Sequence, residues 1–262
     1  MKIASWNINS IRVRIDQVIK ILLKENIDIL CLQEIKVTDS LFPQKIFIEN
    51  GFKYLCLNGQ KQYNGVAIIS RIPFDSSYTK DFCNKEEKRH ICIKLKNGIE
   101  IHNFYFPAGG MDPDVKTNIK FKEKLEYYNK VTRWFANKKN KRKLILLGDM
   151  NIAPSPLDVW CHKKLINVVS HTPIEIEYYN SLFKSLDWVD AIRYFMGEDK
   201  KIFTWWSYRN SDWKKANKGR RLDHIWVEKS LTKKIKDLKI LSNTRQHIKP
   251  SDHIPIMIEL KN

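Results

Sequence analysis

The stretch KLILLGDMNIAP, residues 143–154, runs four apolar residues straight into a glycine, a carboxylate and an amide. Successive strand side chains point to opposite faces, so a strand apolar at consecutive positions must be covered on both sides. IDILCLQE, residues 27–34, reads the same way and also ends on a carboxylate. Further strand-like runs are KIASWNI, GVAIIS, HICIKL, IEIHNFYF, LDHIWV and IPIMIEL. Long helical patterns are few. Two sheets packed face to face with helices outside would cover such strands.

Ile11, Ile15, Val18, Ile19, Leu22 and Leu23 recur at helical spacing after Ser10, which is expected to cap that helix. Phe121, Leu125, Tyr128, Val131 and Phe135 mark a second helix, and NSLFKSLDWVDAIRYFM, residues 180–196, suggests further helical turns. No linker, fixed-period repeat or low-complexity tract divides the chain, so one domain over residues 1–262 is expected. That length allows a large core and is short for two ordinary domains.

Lys and Arg number 47 against 29 Asp and Glu, a net charge of +18. Such an excess favours a polyanionic partner, nucleic acid before an anionic membrane, unless it is a lysine-rich composition alone. The five cysteines form no C-x-x-C pair, and three lie in apolar runs, so neither a disulfide framework nor a zinc knuckle is expected. The N-terminus lacks a charged segment followed by an apolar one, and no apolar run approaches a membrane span. A cytoplasmic, bacterial-type location without membrane attachment is the expectation.

Polar residues recur at strand ends: Asn7 and Asn9 in SWNIN, Glu34 in LCLQE, Tyr105 in NFYFPAGG, Asp149 and Asn151 in LLGDMN. Asp223 and His224 open a strand in RRLDHIW, and Asp252 and His253 precede the last one in PSDHIP. One such end is a turn or a cap, and that reading stays open for Asp149 with Asn151. Several in one domain suggest a single rim of reactive groups held by a rigid scaffold. Carboxylate and amide oxygens suit Mg²⁺, a His can stabilise or protonate a phosphoryl oxygen, and a second Asp can fix its tautomer. These are parts for metal-assisted hydrolysis of a phosphate ester. Alternation along the strand should point His224 away from Asp223, into a structural role.

In order, WNIN, LQEIK, YFPAG, GDMNIAP, RRLDHIW and SDHIPI resemble the exonuclease III family of DNA repair enzymes. These are the class II apurinic/apyrimidinic endonucleases of the endonuclease/exonuclease/phosphatase superfamily. The match runs from residue 2 to about 260. The resemblance implies a four-layer α/β sandwich with two central mixed β-sheets flanked by helices. It implies a Mg²⁺-dependent enzyme, Mn²⁺ substituting, that cleaves double-stranded DNA 5′ to abasic sites as a monomer. Accompanying 3′→5′ exonuclease and 3′-phosphatase or phosphodiesterase activities are implied too.

Residue by residue, the resemblance makes Glu34 the metal carboxylate, with Asn7, Asp149, Asn151 and Asp252 in or beside the metal cluster. Asp149 orients or deprotonates the attacking water, and Asn151 bonds phosphate and water. His253 meets the scissile phosphate and is held by Asp223, while Tyr105 reaches the phosphate or the leaving oxygen. Lys36 faces phosphate. At Asn9, eukaryotic members favour Asp, and at Ala108 bacterial relatives often carry a longer side chain. A buried Tyr105 with a satisfied hydroxyl is the alternative at that position.

The segment FTWWSYRNSDWKKANKGRR, residues 203–221, interleaves aromatic rings with cations. Rings that stack or wedge and cations that meet phosphates suit strained or single-stranded nucleic acid. Trp205, Trp206, Arg209, Arg220 and Arg221 are the expected DNA-binding residues, and the family resemblance implies that Trp205 lies in the pocket for the base-free sugar. A core tryptophan pair under a solvated basic loop is the alternative. Two rival functions remain at this level: a same-fold phosphatase acting on inositol phosphates or lipids, and a catalytically dead nucleic-acid-binding protein.

Overall fold

The computed structural model describes residues 1–138, 143–209 and 212–261. Its strands, in chain order, are β1 (Lys2–Asn7), β2 (Ile29–Gln33), β3 (Tyr54–Asn58), β4 (Val66–Ser70), β5 (Phe74–Tyr78), β6 (His90–Leu95) and β7 (Glu100–Tyr105). They continue as β8 (Leu144–Asp149), β9 (Trp188–Asp190), β10 (Trp205–Trp206), β11 (Gly219–Arg220), β12 (Asp223–Glu228), β13 (Ile235–Ile240) and β14 (Ile256–Leu260). The main helices are α1 (Ile11–Lys24), α2 (Gln44–Glu49), α3 (Ile119–Ala136), α4 (His162–Leu165), α5 (Pro173–Phe183), α6 (Ala191–Met196) and α7 (Trp213–Ala216).

One sheet has the order β13-β14-β1-β2-β4-β3, the other β5-β6-β7-β8-β12-β9, and β10 pairs β11 as a separate ribbon. Each large sheet contains a parallel pair near its middle, β1 with β2 and β7 with β8, among antiparallel neighbours. Ile3, Ile29, Ile68, Ile93, Ile145, Leu147, Ile225 and Ile258 fill the space between the sheets. Leu30, Leu32, Trp6 and Ile69 instead pack on the layer of Val18, Leu22 and Phe47, while Leu144, Leu146 and Trp226 pack on that of Tyr128, Val131 and Phe135. The alternating sides of LILL therefore serve two different cores, which is the expected four-layer α/β sandwich. Among the described residues no helix is long and apolar enough to cross a membrane, and all five cysteines are free.

One local expectation is corrected. Ser10 makes no side-chain cap for α1; its φ is 88°, and the helix is irregular at Arg14. The Ser10 and Ile11 amides instead donate to the carbonyls of Glu34 and Ile35, so stitching to the neighbouring loop replaces the cap. The helical turns expected over residues 180–196 are present as the end of α5 and as α6. The helix α5 starts earlier, with Thr172 and Glu175 forming a reciprocal capping box around Pro173. Then β9 intervenes before α6, because Trp188 and Val189 pair with β12.

The glycine in the opening stretch is required by the close approach of β7 and β8. Gly148 has φ +136°, and an added Cβ would lie 1.9 Å from the Phe104 carbonyl oxygen. Gly148→Ala should therefore lower folding stability by about 3 kcal/mol, as overpacking plus backbone strain. A urea denaturation midpoint unchanged from the parent protein would contradict this.

Candidate active site

The two parallel pairs deliver polar groups to one end of the sandwich. Asn7 ends β1, opposite Gln33 of β2, so Glu34 emerges beside it. In the second sheet Tyr105 and Asp223 both lie in register with Asp149, from β7 and β12 respectively. The segment before β14 brings in His253, whose carbonyl accepts from the Trp6 indole at 3.1 Å. Ser251 fixes that segment by donating to the Asn7 carbonyl at 2.7 Å.

Asn7 joins the sheets. Its Nδ2 donates to Glu34 Oε1 at 2.8 Å and to Asp149 Oδ2 at 2.9 Å. Asp149 Oδ1 accepts from the Asn151 amide at 3.0 Å, and the Asn151 side chain donates to the Phe106 carbonyl at 2.9 Å. His253 Nδ1 lies 2.8 Å from Asp223 Oδ2, and its Nε2 lies 3.6 Å from Asp149 Oδ2. Asn7, Asp149, Asp223 and His253 are buried, and Glu34 keeps 18% of its side chain exposed. Glu34 and Asn151 both hold positive φ, at 51° and 53°. Such strain in non-glycine residues clusters where side chains must be aimed.

Burial raises Asp149 to about 7; His253 opposes this, while Asp223 and Glu34 add to it. Burial alone would lower the His253 imidazole, but Asp223 and then Asp149 overcome it and raise it to about 10. His253 is therefore an imidazolium at neutral pH. Burial first, then the Glu34 carboxylate, holds the Tyr105 phenol well above its ordinary value, so it stays a proton donor. The Arg89 guanidinium stacks 4.9 Å from the Tyr105 ring centre.

Carboxylate oxygens crowded in this way suit a hard cation. The ligand oxygens of Asp149 and Asp223 lie within 4.8 Å of each other, and Asp223 Oδ1 is buried without a hydrogen-bond partner; the protonated His253 ring beside them is a counter-charge and no ligand. Glu34 is the partly exposed carboxylate of the site. No thiolate is among these donors, so oxygen-preferring Mg²⁺ or Mn²⁺ fits better than a soft metal.

Asp252 stands one step outside. Its Oδ1 accepts from Asn9 at 3.1 Å and its Oδ2 from the Trp205 indole at 2.9 Å. It positions Trp205 beside the site. Trp205 is partly exposed, bridges to His253 through its backbone, and carries Arg220 5.5 Å above its ring. Arg220 is tethered to the Val169 carbonyl and the Ser170 hydroxyl, and Arg209 is exposed. Lys36 reaches Glu34 Oε2 at 2.8 Å.

Two expected DNA contacts are corrected. Arg221 is 1% exposed and pairs with Asp158 and Asp190, so it cannot reach a phosphate. Trp206 is 6% exposed, packs on Trp213, and donates to Asn217 at 3.1 Å. Both side chains face inward, Trp206 from β10 and Arg221 from the link between β11 and β12. Residues 210 and 211 of the aromatic-basic segment lie outside the described residues. His224 is structural as expected, bound by Tyr179 and the Ile152 carbonyl.

Sequence reasoning missed Arg89 and the buried pair Lys124–Glu175, whose Lys124 Nζ donates to the Asn151 carbonyl at 2.8 Å. Nothing in a single sequence marks a lysine on an amphipathic helix as buried. A cavity of about 730 Å³ opens beside Tyr105, with Tyr63, Asn64, Arg89, Ala108 and Lys120 in its wall. It flanks the buried trio and touches the site through Tyr105.

A family model described as the Endonuclease/Exonuclease/phosphatase family matches residues 4–253. Exodeoxyribonuclease III of Haemophilus influenzae is 31% identical over 280 aligned positions, covering 100% of both chains. The chain belongs to this family. It is a hydrolase of the DNA repair nuclease class. Among solved structures, a 3′ phosphatase from Neisseria bound to product DNA hairpin superposes with TM-score 0.92 at 29% identity, with 100% of each chain covered. An AP endonuclease from Archaeoglobus fulgidus gives 0.91 at 30%, again over 100% of both chains. The family is metal-dependent, and the hard-oxygen donors of this chain fit that chemistry.

The Asp223–His253 pair has a pH signature. A histidine raised on folding contributes stability fully present below its ordinary value near 6.5 and lost as pH rises through about 10. In the metal-free protein, ¹⁵N ring shifts of His253 should report imidazolium through pH 8. Asp223→Asn should lower its titration by more than about one unit, since a paired carboxylate favours the charged imidazole. A His253 that titrates near its ordinary value in the parent protein would contradict the pairing.

Proposed function

We propose that this nuclease is a Mg²⁺-dependent enzyme, Mn²⁺ substituting, that binds double-stranded DNA as a monomer and hydrolyses the phosphodiester 5′ to an abasic site. The same centre also serves 3′→5′ exonuclease and 3′-phosphatase or phosphodiesterase activity. The observation that carries this reading is the convergence of Asn7, Glu34, Asp149, Asn151, Tyr105 and the Asp223–His253 pair at one joint between two sheets. The Neisseria 3′ phosphatase and the Archaeoglobus AP endonuclease, similar along their full length, support the substrate class.

In this reading Glu34, with Asn7 and Asp149 beside it, holds the cation. Bound there, Mg²⁺ supplies Lewis-acid charge to a phosphoryl oxygen. Asp149 orients the attacking water and takes its proton. The Asn151 side chain, turned by its positive φ, adds a polar group beside that water. His253, held as imidazolium by Asp223, meets the charge that develops on the non-bridging oxygens. Water oxygen bonds to phosphorus, the bond from phosphorus to the 3′-oxygen breaks, and Tyr105 donates its phenolic proton to the leaving oxygen; Asp149 releases the water's proton to solvent and Tyr105 regains one from it. The products are a 3′-hydroxyl and a 5′-phosphate. Trp205, next to His253 and outside the proton-transfer groups, packs against the base-free sugar face. An abasic nucleotide also avoids most of the few kcal/mol that extruding a stacked base costs.

Two outcomes test this. Asp149→Asn should cut single-turnover cleavage of an abasic-analogue duplex by about 10² or more, as expected for a lost positioned base, with DNA affinity retained. Near-normal turnover with a lower melting temperature would mean that Asp149 is a turn cap. Trp205→Ala should lower abasic incision while sparing a small activated phosphodiester. Equal loss on both substrates would assign Trp205 to the fold instead.

A further inference from the structure

The Glu34 carboxylate already has a cation on it. Lys36 Nζ lies 2.8 Å from Glu34 Oε2, while Oε1 accepts from Asn7 at 2.8 Å. The same ammonium donates to Asn9 Oδ1 at 2.6 Å. The backbone is built for this pairing. Glu34 and Lys36 both hold positive φ, at 51° and 54°, around the fully buried Ile35. The amides of Ile35 and Lys36 donate to the carbonyls of Gly65 and Asn64, which locks the turn. Two side chains, i and i+2, are thereby aimed at one point at the mouth of the site.

We propose that Lys36 is an exchangeable counter-ion that occupies the cation position on Glu34 until a DNA phosphate draws it away, coupling metal binding to DNA binding. The inference rests on the metal-dependent nuclease reading above. The ammonium and a divalent ion draw on the same carboxylate oxygen and repel each other, so Lys36 in this position weakens cation binding on Glu34. Lys36 is free to leave: its side chain is 27% exposed, and that of Glu34 18%, so water replaces the lost contact. Its flexible stem lets the charge swing without moving the turn. Asn9 offers a neutral amide as its second anchor and therefore does not trap the ammonium. A phosphate arriving at His253 presents a competing anion nearby. Once Lys36 moves to it, Glu34 is vacant for the metal. By linkage the effect is reciprocal: bound metal releases Lys36 to phosphate and raises DNA affinity.

The test uses the full chain with Mn²⁺ as probe, counting free Mn²⁺ by electron paramagnetic resonance without DNA. Lys36→Met should tighten Mn²⁺ binding by about three- to tenfold, as expected for removing an ion pair of this exposure. Lys36→Gln serves as a second variant if Lys36→Met folds poorly by circular dichroism. In the second arm, fluorescence anisotropy follows a labelled, nuclease-resistant phosphorothioate duplex carrying an abasic analogue. The gain in DNA affinity on adding Mn²⁺ should be smaller in Lys36→Met than in the parent. Equal or weaker Mn²⁺ binding by both variants overturns the proposal, as does an unchanged gain in DNA affinity. Glu34→Gln separates the two readings: if it binds Mn²⁺ as the parent does, the metal assignment itself fails, and the role of Lys36 with it.

Discussion

One amide holds the chemistry together. Asn7 ends a strand of the first sheet, yet its Nδ2 donates both to Glu34, from the next strand, and to Asp149, from the other sheet. Two carboxylates that repel each other are thereby kept on either side of a neutral donor. A charged residue at position 7 would upset that balance, and an apolar one would leave buried oxygens unsatisfied. The backbone of Asn7 also receives the Ser251 hydroxyl, which places the segment bearing His253. The sandwich brings its two sheets to one end, and Asn7 turns that proximity into a site.

The surrounding protein makes a crowded anionic centre tolerable by fixing its neighbours. Buried Lys124 bonds the carbonyl of Asn151 and pairs with Glu175, which also caps α5. Arg221 and Arg193 converge on buried Asp158 and brace the loop between β8 and α4. Breaking either network by removing one partner leaves an uncompensated buried charge, so both are structural commitments rather than surface decoration. In the proposed reading the excess of positive charge works outward, with exposed Lys and Arg available to neutralise DNA phosphate around an acidic centre.

The fold was legible in the sequence where hydrophobic periodicity was complete. LILL and ILCLQ are apolar on both faces because each face meets a different core, and that alone demands layers. The site was legible because polar residues stood at the ends of apolar strands, Asn7, Glu34, Tyr105 and Asp149 where strands finish and Asp223 where one begins. Edge strands such as β3 and β5 were not, since residues 54–58 and 74–78 are only partly covered and carry no clean alternation. Ser10 looked like a cap because local chemistry cannot foresee a tertiary partner such as the Glu34 carbonyl. Arg221 and Trp206 were read as outward because composition does not say which side of a short ribbon or link faces the core. Lys124 was invisible for the same reason.

The central claim is that Asn7 and Asp149 act as one unit across the two sheets. A double-mutant cycle on single-turnover cleavage of an abasic-analogue duplex, using Asn7→Ala, Asp149→Asn and the pair, measures this directly. The account predicts strong non-additivity, with the double variant about as slow as the slower single one. Losses that simply multiply, with melting temperatures unchanged, would mean that the two residues act independently and would contradict the account.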